Sequence, residues 1–454
     1  ATGCYRMAKQ NVHSTWVISS AISIRNNWDV VLENYGLPHA LITGMKDLEC
    51  VRPGDFVLLT FNKVGQWKKQ IIKWLKRHSQ KVQLILDESD NISNPSTVRT
   101  KAVLACFRRC RYKLLTTGTS TRNNISEFAP QLELLYNNSI NMMNWCPEVY
   151  SYTEDTDDLV VVSEANSNYG QPIPAYKKGY AMFTACHLPE KTTVFGVGER
   201  TQDIYNAEAL NDILAKTVIT RTFEEVAGKK IKRIHPIPLR FSEEEREIYE
   251  RIINEFHVLQ REYFSSTGNS RKDAMLRLMQ QITLLLRFSA APNTVREYMG
   301  DTPMKLMTVV DMAAQWENEI VAVGVRHKVV LDAYVEAFRT YLPDRPLFVV
   351  TGSTTSFAQR RALRKKLWES GNGILLCTQQ SLPSSVNFEF VNKVLIPELY
   401  YNNASMSQFY MRFVRYNSVD FKDIYLITYA DSLESNLMQM VIVKEKLNLF
   451  MKGQ

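Results

Sequence analysis

No run of apolar residues in this 454-residue chain reaches the roughly 20 that a membrane-crossing helix needs, and the opening residues do not read as a signal peptide. A soluble intracellular protein is therefore expected. Paired cysteines are missing as well. The seven present, Cys4, Cys50, Cys106, Cys110, Cys146, Cys186 and Cys377, are odd in number and form no C-x-x-C cluster, which fits a reducing compartment and speaks against a disulfide framework. Cys106 and Cys110 share a helix face, but a zinc site there would need two further ligands, so both are expected to be packing thiols. A large charge excess is also absent. Lys and Arg number 55 against 47 Asp and Glu, a net charge of +8, compatible with a polyanionic partner but not diagnostic of one. With 45% hydrophobic residues over this length, more than one core and two or three domains are expected.

The strongest signal present is Lys81-Val-Gln-Leu-Ile-Leu-Asp87-Glu88-Ser89-Asp90. Its apolar run fits a buried strand, and two adjacent carboxylates follow at its end, where an open α/β sheet keeps its ligand crevice. This is a Walker B layout. Asp87 would hold Mg2+ directly or through water, and Glu88 would polarise the water that attacks a γ-phosphate. In isolation, an Asp-Glu pair more simply caps a strand. The other half of a phosphate site is incomplete: Ala1-Thr2-Gly3-Cys4 looks like the opening of a phosphate loop, yet Tyr5-Arg6-Met7 stands where Gly-Lys-Thr should follow. Either the loop is degenerate or residues intervene between Cys4 and Tyr5. The second reading is preferred, and the Cα separation of the pair, about 3.8 Å for bonded neighbours, decides.

Taken in order, residues 16–18 form a short strand leading to Ser19-Ser20, and Asn27-Trp28 falls in a helix with an apolar face at Val31 and Tyr35. Residues 55–61 are a second strand. The helix at 67–78 turns Ile71, Ile72, Trp74 and Leu75 inward and leaves Lys68, Lys69, Lys73, Lys76 and Arg77 as a solvated face. A helix at 96–110 precedes a strand at 112–115, which runs into Thr116-Thr117-Gly118-Thr119-Ser120 and Asn123-Asn124. Such alternation predicts a parallel, doubly wound sheet. Residues 153–158 and 169–178 read as loops, and Gly196-Val197-Gly198 carries no functional weight. Ser242 with Glu245 forms a capping box for a helix over 239–256, with Ile248, Tyr249, Ile252, Ile253 and Phe256 on one face. A further helix at 272–288 carries Leu276, Leu278, Met279, Ile282, Leu285 and Leu286. The final third returns to strands at 347–350, 373–378 and 393–396, with a basic helix through Arg360, Arg361, Arg364, Lys365 and Lys366. Gln408, Arg412 and Arg415 are spaced for one helix face.

Asp87-Glu88-Ser89-Asp90 followed by Leu115-Thr116-Thr117-Gly118-Thr119-Ser120 and Asn123-Asn124 resembles motifs II and III of the Swi/Snf-type ATPases of helicase superfamily two, whose pattern is D-E-x-H, then L-T-G-T-P and an Asn. Asn27-Trp28 matches their motif Ia region. Gln379-Gln380-Ser381-Leu382 with Ser385-Val386-Asn387 resembles motif V, and Gln408, Arg412 and Arg415 have the spacing of motif VI. The run Pro238-Leu239-Arg240-Phe241-Ser242, three glutamates and Tyr249 is similar to the segment leading into the family's helical insertions. Asp90 stands where the family has His, and Ser120 where it has Pro. The likeness spans nearly the whole chain, in a compact, phage- or virus-like version consisting of the motor core.

The resemblance implies an α/β protein with two RecA-like parallel-sheet lobes and helical insertions between them: 1–235 as first lobe, 236–302 as helical subdomain and linker, 303–454 as second lobe. It implies an ATP-dependent translocase or remodeller of double-stranded DNA, using ATP and Mg2+. Thr2, Gly3, Cys4, Asp87, Gly118 and Thr119 would hold nucleotide, with Asp87 on the metal. Glu88, Gln408, Arg412 and Arg415 would be catalytic, the two arginines reaching the triphosphate from the second lobe. Ser19, Thr60, Ser353, Thr378 and Ser385, at strand ends, would hold DNA phosphates without reading bases, although each is also ordinary turn chemistry. The expected partner is duplex DNA in cytoplasm, nucleoid or nucleus, with a monomeric motor removing a protein from it or loading one onto it. A strand-separating helicase and a catalytically inactive DNA-binding scaffold are the alternatives.

Overall fold

The computed structural model describes residues 1–118, 125–136, 149–152, 159–163, 176–188, 204–221, 223–228, 231–352, 357–382, 388–399, 403–415, 418 and 420–435. It divides into two compact units, Ala1–Thr220 and Arg221–Ile442.

Five parallel strands make the sheet of the first unit: β1 (Ser14–Ser19), β2 (His39–Leu41), β3 (Phe56–Thr60), β4 (Val82–Asp87) and β5 (Tyr112–Thr116), in the order β2-β3-β1-β4-β5. Side chains alternate between faces along a strand. Trp16, Ile18, Val57, Leu59, Leu84 and Leu86 therefore pack on one side against Trp67, Ile71, Trp74, Val103 and Phe107, while Val17, Leu58 and Ile85 meet Ile24 and Leu32 on the other. Covering both faces is what makes β1 and β4 read as continuous apolar runs. An antiparallel pair, β6 (Val149–Tyr152) with β7 (Leu159–Ser163), follows in this unit.

Three expectations change here. The apolar face assigned to Val31 and Tyr35 is wrong, for these side chains are 45% and 77% exposed. One π-helical turn over Ile24–Trp28 widens the helix and shifts its phase, so that Ile24 and Leu32 do the packing. Residues 176–178 are the start of the helix Tyr176–His187 rather than loop. Cys4 and Tyr5 lie within one helix, Thr2–Lys9, with Tyr5 N–H bonded to Ala1 O at 3.0 Å, so nothing intervenes between them. The expected loop at 153–158 and the residues 196–198 lie outside the described residues.

The second unit holds a six-stranded parallel sheet of β8 (Lys232–Leu239), β9 (Ile320–Val325), β10 (Leu347–Val350), β11 (Gly373–Thr378), β12 (Lys393–Ile396) and β13 (Lys422–Tyr429), ordered β10-β11-β9-β12-β13-β8. Ala322, Leu375, Cys377, Val394 and Ile424 face Phe388, Phe409 and Phe413. Val321, Val323, Ile374, Leu376 and Leu395 face Leu306, Val309, Leu331, Tyr334 and Phe338. Strand β8, like β2, β9 and β13, is an element sequence reasoning missed. Its Pro236 and Pro238 argue against a strand, but among the described residues β8 is an edge strand paired with β13 alone, from Lys232↔Lys422 to Leu239↔Tyr429, so a missing N–H is tolerated. Residues 232–235 thus belong with the second sheet, and the division falls before the expected boundary at 235. The capping box is present, Ser242 Oγ accepting from Glu245 N at 3.2 Å and Glu245 Oε2 from Ser242 N at 2.9 Å. Its helix runs over Glu243–Ser265 and pairs with Gly268–Ala290. In the latter, Leu278, Leu285 and Leu286 are buried as expected, whereas Leu276 and Met279 are 59% and 50% exposed. Ala274 and Leu278 turn to the buried Phe256 and Tyr263 side, and Leu276 and Met279 lie on the outer face, beside which Arg277 pairs with Glu262 and Gln281 with Glu255.

A fully buried ion pair fixes this unit. Lys305 Nζ meets Glu434 Oε2 at 2.7 Å and Pro397 O at 3.2 Å, and both charged side chains are at most 1% exposed. Glu434 also accepts from Tyr429 N at 2.8 Å, while Glu245 accepts from Tyr429 Oη at 3.1 Å. Lys305→Met would leave the Glu434 charge buried without its cation, and urea unfolding is expected to show a loss of about 3–5 kcal/mol. The double variant Lys305→Met/Glu434→Leu should recover most of it; equal losses in both would show that the pair is not what matters.

At the opposite end of the same strands Asp423 accepts from Arg233 Nε at 2.7 Å, His235 Nε2 at 2.9 Å and Lys393 Nζ at 2.9 Å. Burial works against its charge, but the bonds from His235, Lys393 and Arg233 outweigh it and hold the carboxyl at about 2. A depressed folded-state pKa stabilises above the unfolded value, about 3.9, and the stabilisation is lost as pH falls from there towards about 2. The stability difference between wild type and Asp423→Asn, from denaturant midpoints, should therefore shrink through that window. A difference constant from pH 5 to 2 would refute it.

Candidate nucleotide site

The rim at the C-terminal ends of the first sheet is built by register. Ser19 pairs with Thr60, Ile18 with Leu86 and Asp87 with Thr116, so Ser19, Thr60, Asp87 and Thr116 end at one level. Asp87 is its centre. Its Oδ2 accepts from Ser19 Oγ at 2.9 Å, Ser23 Oγ at 2.9 Å and Trp28 Nε1 at 3.0 Å, and its Oδ1 from Thr116 Oγ1 at 3.1 Å. Four donors fill roughly the four lone-pair positions that a carboxylate offers.

Glu88 follows in the left-handed region, φ 55° and ψ 54°, a conformation that costs a residue with a side chain on the order of 1–3 kcal/mol and recurs at functional sites. Its carbonyl accepts from Asn91 N at 3.0 Å and Asn91 Nδ2 at 3.0 Å, which holds the turn. Behind it Ser89 Oγ donates to Gln131 Oε1 at 2.9 Å, and the buried Asp90 accepts from Thr117 Oγ1 at 3.2 Å. Asp90 thus ties the end of β4 to the residues following β5.

Thr2, Gly3 and Cys4 do not form a turn at this rim. They open the helix Thr2–Lys9, where Thr2 Oγ1 meets Gln83 Nε2 at 3.5 Å and a Cβ on Gly3 would stand 2.7 Å from the Phe56 ring. Phe56, Thr15 and Gln83 share one rung of the sheet, four residues and about 13 Å below Ser19. Without the Gly-Lys-Thr continuation the segment has no turn to hold it at the rim, and it packs as a helix on the sheet face. Ser19 is likewise not placed to touch DNA, being fully buried with its hydroxyl given to Asp87. Thr60 stays at the rim, where its Oγ1 caps the helix Phe61–Gln66 by accepting from Lys63 N at 3.4 Å. Gly118 is exposed beyond β5 with open space around it. Thr119, Ser120, Asn123, Asn124, Ser353, Ser385 and Asn387 lie outside the described residues.

In the second unit Gln408 and Arg412 line one small cavity of about 160 Å³ with Gln379, Gln380, Leu382 and Phe409. Arg415 does not. The expected single helical face fails because the helix Asn403–Tyr410 ends before the arginines: Arg412 N and Phe413 N bond to the carbonyls three residues back, and Arg412 O is taken by Phe388 N at 3.0 Å. Arg415 N then donates to Ser418 Oγ at 2.9 Å. Burial lowers the Arg415 guanidinium pKa, opposed by the Glu389 charge. At the end of β11, Thr378 Oγ1 is hydrogen-bonded to Ser381 Oγ.

A family model for the SNF2-related domain matches residues 17–294, more than half the chain. The chain belongs to the SNF2-related family. Among solved structures it is similar to the Sulfolobus solfataricus SWI2/SNF2 ATPase core in complex with dsDNA, at 15% identity and a TM-score of 0.39 over 97% of this chain and 82% of that one. The Sulfolobus solfataricus SWI2/SNF2 ATPase core domain gives 15% and 0.39 over 98% and 81%, and the C-terminal part of the Fun30 ATPase domain 14% and 0.37 over 49% and 96%. No curated protein matches the chain. The two parallel sheets flanked by helices are the RecA-like α/β fold of the SNF2-related family.

In this SNF2-related chain the rim donors are carboxylate and hydroxyl oxygens, the set that a hard cation such as Mg2+ takes together with water and phosphate. Among the described residues no group of three or more His, Cys, Asp and Glu could hold a metal by itself. With Asp87 already accepting four bonds, it fits a cation held through water. Ser23, Trp28 and Thr116 were missed as site residues because a hydroxyl or indole on a helix or strand end carries no signal until its partner is known. Trp28→Phe keeps the ring and removes the N–H. Support of this kind commonly matters about 10-fold or more to a metal site, so Mg2+-dependent ATP turnover should fall by about that factor at unchanged melting temperature. Wild-type Mg2+ dependence in Trp28→Phe would show that Asp87 needs no such orientation.

Proposed function

We propose that this chain is the core of an ATP-hydrolysing motor that acts on double-stranded DNA without reading its sequence. The reading rests on one observation, the Asp87–Glu88 pair standing at a parallel-sheet rim with Asp87 held by four donors, in a member of the SNF2-related family. Bound MgATP supplies the phosphoryl group to be transferred and the metal's charge. Asp87 would hold the metal, its carboxylate oriented in advance by Ser19, Ser23, Trp28 and Thr116. Glu88, next in the chain, takes up the proton of the attacking water. Gln408 and Arg412 contribute amide and guanidinium donors for phosphoryl oxygens, where charge develops, and Arg415 positions the turn that carries Arg412. Thr60 and Thr378 offer hydroxyls to DNA phosphates, so binding is sequence-independent and salt-sensitive.

One observation favours a second reading. The helical Thr2–Lys9 segment provides no phosphate turn, which suits a DNA-binding scaffold without turnover. ATP turnover measured with and without duplex DNA separates the two. The motor reading expects stimulation by DNA, a loss of about 10²- to 10⁴-fold in Glu88→Gln and about 10³-fold in Arg412→Ala. Duplex binding with no turnover by wild type selects the scaffold, and equal turnover by wild type and both variants removes the assigned roles. Displacement of a triplex strand without unwinding of a fork marks a translocase rather than a strand-separating helicase.

A further inference from the structure

The end of the first sheet away from Asp87 carries a groove of about 570 Å³ lined by Lys76, Lys81, Arg109, Arg111, Tyr112 and Asn11, with Gln10, Ser79 and Gln80 beside them. Among the described residues none that lines it is acidic. Lys76 closes the helix Lys68–Arg77, Lys81 leads into β4, and Arg109 and Arg111 lie in the turn before β5. Separate segments thus bring four cations to one concavity. Among the described residues none of the four makes an ion pair, whereas Arg108 beside them pairs with Glu133 at 3.4 Å. Two consecutive left-handed residues, Ser79 and Gln80 at φ 50° and 54°, shape the turn that presents Lys81. The Tyr112 ring is flanked by guanidiniums, Arg6 at 4.4 Å and Arg111 at 5.5 Å from its centre.

A solvated basic face needs no concavity, and its charges repel one another unless an anion joins them. We propose that this groove is a second binding site for the sugar–phosphate backbone of nucleic acid, separate from the rim at Asp87. Lys and Arg ammonium and guanidinium groups, amides of Asn11 and Gln10 and the Ser79 hydroxyl are the donors that phosphate oxygens take. With Tyr112 already covered by two arginines, contact is with phosphates rather than by base stacking, so duplex DNA is the occupant. The inference extends beyond the motor reading, because it concerns the opposite end of β4.

The test is the salt dependence of duplex DNA binding, by fluorescence anisotropy, for the full chain and for Lys81→Glu/Arg109→Glu/Arg111→Glu. All three side chains are exposed, so the melting temperature should not move. Each lost phosphate contact lowers the slope of log affinity against log salt by about 0.9. The triple variant is therefore expected to flatten it by about 3 and to bind at least about 10-fold more weakly at low salt. Lys68→Glu/Lys69→Glu/Lys73→Glu makes the same charge change on exposed positions that do not line the groove. Equal effects of the two triples would assign the binding to overall charge and overturn the proposal. So would an unchanged slope with duplex binding intact. Loss of poly-glutamate binding alone would assign the groove to an acidic protein instead. Absence of any duplex binding by wild type would overturn both this proposal and the motor reading.

Discussion

The Asp87 carboxylate is the constraint around which the first unit is arranged. A charged group at the end of a buried strand is costly unless its hydrogen-bonding capacity is met, and here it is met from four places: the end of β1, a short helical turn at Ser23, the indole of Trp28 and the end of β5. These donors are not contiguous in sequence, so satisfying one carboxylate fixes the spacing of three strand ends and the helix between them. The π-helical turn over Ile24–Trp28 follows from the same demand. It brings an indole N–H to Oδ2 while Leu32 stays in the core, at the expense of the regular phase that would have buried Val31 and Tyr35.

In the second unit the corresponding role falls to buried carboxylates. Glu245 closes a helix N-terminus through its capping box and at the same time accepts from Tyr429 and from Met304 N at 3.1 Å, which ties the helical hairpin to β13. Glu398, 1% exposed, accepts from Arg326 N at 2.6 Å and His327 N at 3.1 Å, where the helix Lys328–Tyr341 begins and its dipole favours a negative charge. The backbone oxygen of Glu398 then receives Gln379 Nε2 at 2.7 Å. Gln379 lines the cavity shared by Gln408 and Arg412, so a chain of hydrogen bonds from a buried helix terminus positions the polar groups of that cavity.

What could be read from the sequence was whatever has a local cause. The run from Val82 to Asp87 is apolar because both faces of its sheet are covered, and the Ser242–Glu245 box is a three-residue relation; both were legible. Strand β8 was not, since Pro236 and Pro238 are permitted only by an edge position that depends on β13, nearly two hundred residues further on. Leu276 and Met279 repeat at helical spacing, yet burial depends on what lies opposite, and in that half of the hairpin the buried positions are Ala274 and Leu278. The motif spacing of Gln408, Arg412 and Arg415 identified the right segment but not its shape. The helix stops at Tyr410, where Arg412 N and Phe413 N bond three residues back, and the Arg412 carbonyl is then given to Phe388 N–H. At the rim, the acidic pair was legible while the donors that orient it were not, because Ser, Thr and Trp side chains acquire a role only through a partner brought near by the fold.

Strand β4 separates two kinds of electrostatics. Lys81 precedes it and Asp87 ends it, about 20 Å apart at about 3.3 Å per residue. That exceeds the screening length of about 8 Å at physiological ionic strength, so exposed cations in the basic groove hardly alter the charge balance at the rim. An anion held in that groove can raise the local concentration of its own polymer, and with it the frequency of encounter, but it cannot tune Asp87 or Glu88 through space. Communication between the two ends would have to run through β4 itself. Every residue from Val82 to Leu86 is buried and close-packed interiors shift as units rather than deform gradually. Through space, then, affinity for a polyanion and the chemistry of the acidic pair are independent, and any coupling between them is carried by a displacement of β4 as a whole.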